Sequence, residues 1–180
     1  MAKFNDKITR RVQQFIETQK MFFVATAPKE GRINLSPKGM DSFRIISEKK
    51  IQWLSVTGSG NETAAHLLND NRITLMFCAF EGPPNIVRIY GTAKEIKPTH
   101  NEWAKLITQF PKIPGARQIF DITIISVQSS CGMSIPYYEY TGERTQLNDW
   151  AKEQGKEKIE NYWKERNQTS IDGLPTQILD

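Results

Sequence analysis

The chain has 180 residues, with 24 Lys and Arg against 20 Asp and Glu for a net charge of +4, two cysteines and two histidines. That length is one domain's worth and needs no disulfide or metal staple, and no apolar run is long enough to cross a bilayer as a helix. Residues 143–180 hold six basic and eight acidic side chains, so the basic excess lies in residues 1–142; it suits a small phosphorylated ligand and is too thin for a nucleic-acid face.

The polar start Met1-Ala2-Lys3-Phe4-Asn5-Asp6 lacks the apolar stretch of a secretory leader, which points to the cytoplasm. Asn5 is placed to cap a helix in which Ile8, Val12, Phe15 and Ile16 recur at helical spacing. Residues 21–27, rich in Phe and Val, read as a strand that turns through Pro28-Lys29-Glu30-Gly31 into a second strand at 33–36. Residues 43–46 and 51–56 make another hairpin. The glycine-rich turn Thr57-Gly58-Ser59-Gly60-Asn61-Glu62-Thr63 then leads into a short helix over 64–68.

Residues 72–80 are apolar on both faces, as in a central strand with a partner on each side. Cys78 here, and Cys131 later, read as reduced, buried thiols with no metal spacing. The strand at 86–96 carries Gly91, the mark of a bulge or bend. Trp103, Leu106, Ile107 and Phe110 recur at helical spacing up to the break at 111–115, and 117–127 is a last Ile-rich strand. Tyr137, Tyr138 and Tyr140 read as packing or interface aromatics. Two short helices flank Gly155, one with Leu147, Trp150 and Ala151 and one with Ile159, Tyr162 and Trp163, and 167–180 reads as a tail or arm. Six or so strands joined mostly by hairpins predict a mainly β (α+β) fold, a small antiparallel barrel with peripheral helices. Residues 1–142 would form the barrel and 143–180 a helical extension packed on it.

Three features carry candidate chemistry. A strand that runs through the 57–63 turn into a helix start gathers backbone N–H groups and the positive end of a helix dipole, a setting for phosphate. The Lys-Ser/Thr pair of a P-loop and the third glycine of a dinucleotide fingerprint are missing, and Ser59-Gly60-Asn61-Glu62 also fits a capping box. Second, Asn34, Ser36 and Lys38 would share one strand face next to Gly39, a hydroxyl and an ammonium able to meet an anion. Third, Arg88 lies inside an apolar strand and needs an anion, either a ligand phosphate or a structural partner in Glu81 or Asp121. His66 and His100 fit no triad or zinc pattern, and His66 reads as a surface or satisfied residue.

The order of Phe22-Phe23-Val24-Ala25-Thr26-Ala27, Asn34-Leu35-Ser36-Pro37-Lys38-Gly39, Trp53-Leu54-Ser55-Val56 with the turn that follows, Arg72-Ile73-Thr74-Leu75-Met76-Phe77 and Val87-Arg88-Ile89-Tyr90-Gly91 resembles the flavin-binding split-barrel family related to pyridoxamine 5′-phosphate oxidase, over about residues 5–130. The resemblance implies a six-stranded antiparallel split β-barrel of FMN-binding type, and a homodimer with FMN in grooves between subunits. It implies FMN contacts from Ser36, Lys38 and Gly39, from Thr57, Gly58, Ser59, Gly60, Asn61, Glu62 and Thr63, and from Arg88, with residues after Cys131 reaching the other subunit's site. The oxidase has an Arg-Lys pair at the helix start where this chain has Glu62-Thr63, and its C-terminal substrate-binding Arg and His are not recognisable here. The chain therefore resembles the oxidase-like branch: an FMN-dependent oxidoreductase that passes hydride between flavin N5 and a small substrate or electron donor, without membrane or nucleic acid. The alternatives are a flavin module without turnover, a deazaflavin or haem binder as in related barrels, or, remotely, a basic barrel for nucleic acid.

Overall fold

Alternating apolar residues along the strands place one side of a long antiparallel sheet in the core. The computed structural model describes residues 2–180, and eight strands form the sheet: β1 (Lys3–Asn5), β2 (Phe22–Thr26), β3 (Asn34–Lys38), β4 (Phe43–Ser47), β5 (Lys50–Val56), β6 (Arg72–Cys78), β7 (Ile86–Ile96) and β8 (Ala116–Ser130). The hydrogen-bonded path runs β3-β2-β6-β7-β8-β5-β4, with β1 paired to β8. The helices are α1 (Arg10–Thr18), α2 (Glu62–Asn69), α3 (Trp103–Leu106), which continues as a 3₁₀ turn, and α4 (Gln146–Arg166).

Eight strands stand where six or so were expected: seven match the strand segments read from the sequence, and β1 is the addition. The 15-residue β8 explains the hidden one: β5 covers one edge of β8 up to Thr123, and the remainder of that edge takes β1, with Phe4 opposite Gln128. Lys3-Phe4-Asn5 is too short for its pattern to announce a strand, and β1 forms against the open edge of β8. Asn5 is consequently a strand residue, and Thr9 caps α1, its Oγ1 accepting the Val12 N–H at 3.4 Å.

The two hairpins form as the turns suggest, and β6 sits between β2 and β7. Phe22 of β2 packs against Phe43 of β4 and Phe77 of β6, at ring-centroid distances of 5.3 and 5.4 Å. β2 and β6 are neighbours, but β2 and β4 are far apart along the path, so the sheet curls to bring its ends together around the core. Val12 and Ile16 bury one stripe of α1 against the same core, joined by Ile8 from just before the helix, each such side chain contributing about 1.5–3 kcal/mol. At Gly91 the β7–β8 register shifts, and an added Cβ would run into the Thr123 carbonyl oxygen.

The C-terminal region differs most from expectation. Gly155, at φ 69° and ψ 173°, does break α4 between its two apolar groups. Residues 167–180, however, are a strap bound to the body rather than a free arm. Asn167 and Thr176 are fully buried, the Thr176 hydroxyl donates to the Asn167 carbonyl at 2.6 Å, and Lys97 Nζ donates to the Gln177 carbonyl. Cys78 is buried as expected but Cys131 is exposed, and both are free thiols. No helix among the described residues is long and apolar enough to cross a membrane.

Candidate functional site

A cleft of about 670 Å³ opens where β3, the end of β5, the 57–63 turn, the start of α2 and the start of β8 meet. Alternation along β3 aims Asn34, Ser36 and Lys38 into it and leaves Leu35 on the outside, 63% exposed. Gly39 continues the wall. Thr57, Gly58, Ser59, Gly60, Asn61, Glu62 and Thr63 line the opposite side, so ten of the eleven expected site residues meet in one place.

The turn is held from behind. The Thr57 N–H and hydroxyl both donate to the Gly115 carbonyl, at 2.8 and 2.9 Å, and the Trp163 indole N–H donates to Thr57 Oγ1 at 2.9 Å. Asn167 Nδ2 donates to the Gly58 carbonyl and Arg117 to the Gly60 carbonyl, each at 3.1 Å. With these carbonyls turned into the protein, the N–H groups of Ser59, Gly60 and Asn61 meet no protein acceptor among the described residues. The first-turn amides of α2 likewise have no intrahelical partner.

The capping box does not form. Asn61 is the residue before the helix and makes no side-chain cap bond. The Glu62 carboxylate accepts the Ile171 N–H of the strap, at 3.1 and 3.2 Å, instead of turning back to Ser59. A strap amide from far along the chain outcompetes the local partner, which no short-range pattern could announce.

Arg88 is the exception among the expected residues. It faces Met76 and Gln128 on β7, donates to Ser130 Oγ at 3.3 Å and does not line the cleft. Neither suggested acid is its partner: Asp121 pairs with Lys50 and Gln52, and Glu81 accepts the Tyr140 N–H.

The cleft's buried guanidinium is Arg117, the second residue of β8, only 5% exposed. It donates to the Gly60 carbonyl, to Asn167 Oδ1 at 2.7 Å and to Ser55 Oγ at 3.4 Å. Sequence reasoning missed it. The available signal was the one that singled out Arg88, an arginine in an Ile-rich strand, but Arg117 follows the Pro–Gly break where a surface arginine is ordinary. Burial pulls its pKa down to about 10, against the opposing pull of Glu95. Lys38 lies over the Trp53 ring, 5.0 Å from its centroid; burial, and then the Arg117 charge, bring its pKa from 10.5 to about 8.

His66 is buried rather than on the surface. Its Nδ1 lies 3.1 Å from the Thr26 hydroxyl, while Nε2 has no hydrogen-bond partner and sits 3.9 Å from the Glu62 carboxylate. Asn61 Nδ2 and Arg117 Nε are also buried and unpartnered, and both line the cleft. Buried donors without acceptors are costly, so a ligand rich in acceptors is what this wall lacks. Glu62 is the only carboxylate in the lining, against Arg32, Lys38 and Arg117, and Trp53 supplies an aromatic face. The set fits a planar anionic ligand such as a flavin phosphate. Among the described residues no three His, Cys, Asp or Glu side chains gather to hold a metal.

A family model described as pyridoxamine 5′-phosphate oxidase matches residues 8–131. The pyridoxamine 5′-phosphate oxidase family protein ustO of Aspergillus flavus is 32% identical over 193 residues, spanning 97% of this chain and 78% of that relative. Among solved structures, a HupZ variant from Group A Streptococcus aligns with a TM-score of 0.56 at 21% identity, over 68% of this chain and 99% of its own. A Clostridium acetobutylicum protein related to general stress protein 26 of B. subtilis (pyridoxinephosphate oxidase family) aligns with a TM-score of 0.52 at 15% identity, over 67% of this chain and 86% of its own. Those two likenesses concern the fold.

Proposed function

The chain belongs to the pyridoxamine 5′-phosphate oxidase family, and from that premise we propose that its cleft binds FMN and that the protein is an FMN-dependent oxidoreductase with the family's split-barrel architecture. The observation that carries this reading is the set of unpartnered donors beside two cations, Lys38 and Arg117, on the rim of a 670 Å³ cleft. That volume lies within the roughly 300–1,000 Å³ usual for small-ligand pockets.

Bound FMN would supply hydride transfer at its N5, chemistry that belongs to the cofactor. Ser36, Lys38 and the free amides of the 57–63 turn would hold the phosphate end. Trp53 and the apolar wall would exclude water from the ring. His66 Nε2 and Asn61 Nδ2 would offer hydrogen bonds to ring or ribityl oxygens, with His66 fixed by Thr26. The strap over 167–180 carries no histidine, which supports an oxidase-like activity on a substrate other than pyridoxamine or pyridoxine phosphate.

The reading includes a cytoplasmic homodimer. Met133, Tyr137 and Tyr138, at 82, 79 and 63% exposure, offer apolar surface for a second copy.

The visible spectrum of the purified protein tests the cofactor. We expect a yellow protein, or one that turns yellow with added FMN, releasing close to one FMN per chain on denaturation. A colourless protein that leaves FMN fluorescence unquenched would overturn the reading. Reduction of the bound flavin by a nicotinamide donor then tests turnover, and a flavin that no donor reduces would make it a binding module.

A further inference from the structure

We propose that Arg117, positioned by Asn167, is the residue that fixes the anionic end of the cleft's ligand. This rests on the flavin reading above, with the FMN phosphate as the anion.

The start of α2 offers no cationic side chain. Its first residue is Glu62, tied to the strap by the Ile171 N–H. The charge must come from elsewhere on the wall. Arg32 is 67% exposed at its side chain and pairs with Asp172. Arg117 is different: buried, lining the cleft, and bonded only to neutral acceptors, the Gly60 carbonyl, Asn167 Oδ1 and Ser55 Oγ. A buried guanidinium ordinarily has an anion partner. Glu95, the acid whose charge it feels, accepts from Gln118 and makes no ion pair with it. Its Nε carries a buried proton with no acceptor. Lys38, on the facing wall, is a second cation close enough to feel the Arg117 charge. Two cations facing one cleft without an anion repel each other, and a phosphate between them would satisfy both.

Asn167 sets the guanidinium's place. It is fully buried, accepts from Arg117 and donates to the Gly58 carbonyl, so one carboxamide locks the arginine to the 57–63 turn. Thr176 donates to the Asn167 carbonyl from the far end of the strap. Asn167 is thus a positioning residue, and the strap that carries it is part of the binding site.

The test compares FMN with riboflavin, which has the same ring and ribityl chain but no phosphate. Dissociation constants for both come from flavin fluorescence quenching with wild type, R117Q, R117K and N167A. In wild type FMN should bind far more tightly than riboflavin. In R117Q we expect FMN to weaken by about 10–100-fold, the range of a charged hydrogen bond, with riboflavin changed less than about two-fold, while R117K recovers part of the FMN loss. N167A should weaken FMN by about ten-fold and leave riboflavin alone. An R117Q protein that keeps the wild-type FMN-to-riboflavin ratio would show that Arg117 is only a brace for the turn, and would overturn the proposal while leaving the flavin reading intact. Wild type binding neither flavin would overturn both. Should R117Q fail to fold, R117K and N167A decide: selective loss of FMN supports the anchor, and equal loss of both flavins overturns it.

Discussion

At the scale of single residues, the cleft is defined by polar groups held in costly states. Lys38 is half-buried, over an aromatic ring and near a second cation, and its pKa falls to about 8. A phosphate beside it would raise that value again, so FMN binding near pH 9 should take up protons. Calorimetric titrations in buffers of different ionisation enthalpy would read the uptake, and the same observed heat in every buffer would refute it. Lys38→Ala should weaken FMN by about ten-fold or more, whereas the exposed Lys112→Ala should leave it unchanged. Glu95 is perturbed in the other direction. Burial is the main cause, partly offset by Lys97 and Gln118, and brings its carboxyl up to about 7. Between pH 4.5 and 7 the folded chain keeps a proton that the unfolded chain has released, so this group's contribution to stability declines as pH rises through that window. Glu95→Gln should therefore gain at least about 3 °C in melting temperature over wild type at pH 8, and much less at pH 4.5. An equal gain at both pH values would assign the effect to packing.

At the scale of elements, what was legible in the sequence was local. The hairpins β2–β3 and β4–β5 follow from alternation and turn residues a few positions apart. The central place of β6 follows from its two apolar faces, and the Gly155 break from one glycine between two apolar groups. Gly91 belongs here too: the bulge it permits lets β7 bend along β8, and no larger residue fits against the Thr123 carbonyl. Gly91→Ala should cost about 1–3 kcal/mol of stability by overpacking, measurable by denaturant unfolding; an unchanged midpoint would mean that the strands separate there without penalty. The elements that escaped are those held by distant partners. β1, three residues long, is too short to carry a readable pattern and borrows an open edge of β8. The strap has no periodic pattern, because side-chain-to-backbone hydrogen bonds fix it and such bonds leave no regular spacing.

At the scale of the whole molecule, curling of the sheet decides the site. It brings the end of β3, the turn after β5 and the start of β8 to one rim, and α4 with the strap closes the rim from behind through Trp163 and Asn167. Light scattering on the eluting protein should report twice the chain mass of 20.7 kDa if the exposed tyrosines meet a second copy; a monomer at micromolar concentration would remove the homodimer from the reading. The sequence by itself determined the β-rich class, the order of hairpins, the glycine-rich turn into a helix and the face of Asn34, Ser36 and Lys38, because period and turn chemistry act over a few residues. Only the tertiary structure decided which strand arginine is buried in the cleft wall. Arg88 and Arg117 carry the same local signal, but strand order sets Arg117 beside Ser55 and the glycine turn and leaves Arg88 against Met76 and Ser130. It also decided that Glu62 bonds the strap and that Asn167 holds the guanidinium. Those contacts join residues 50 to 109 positions apart, and pairing over such separations is set by the path of the chain through the fold.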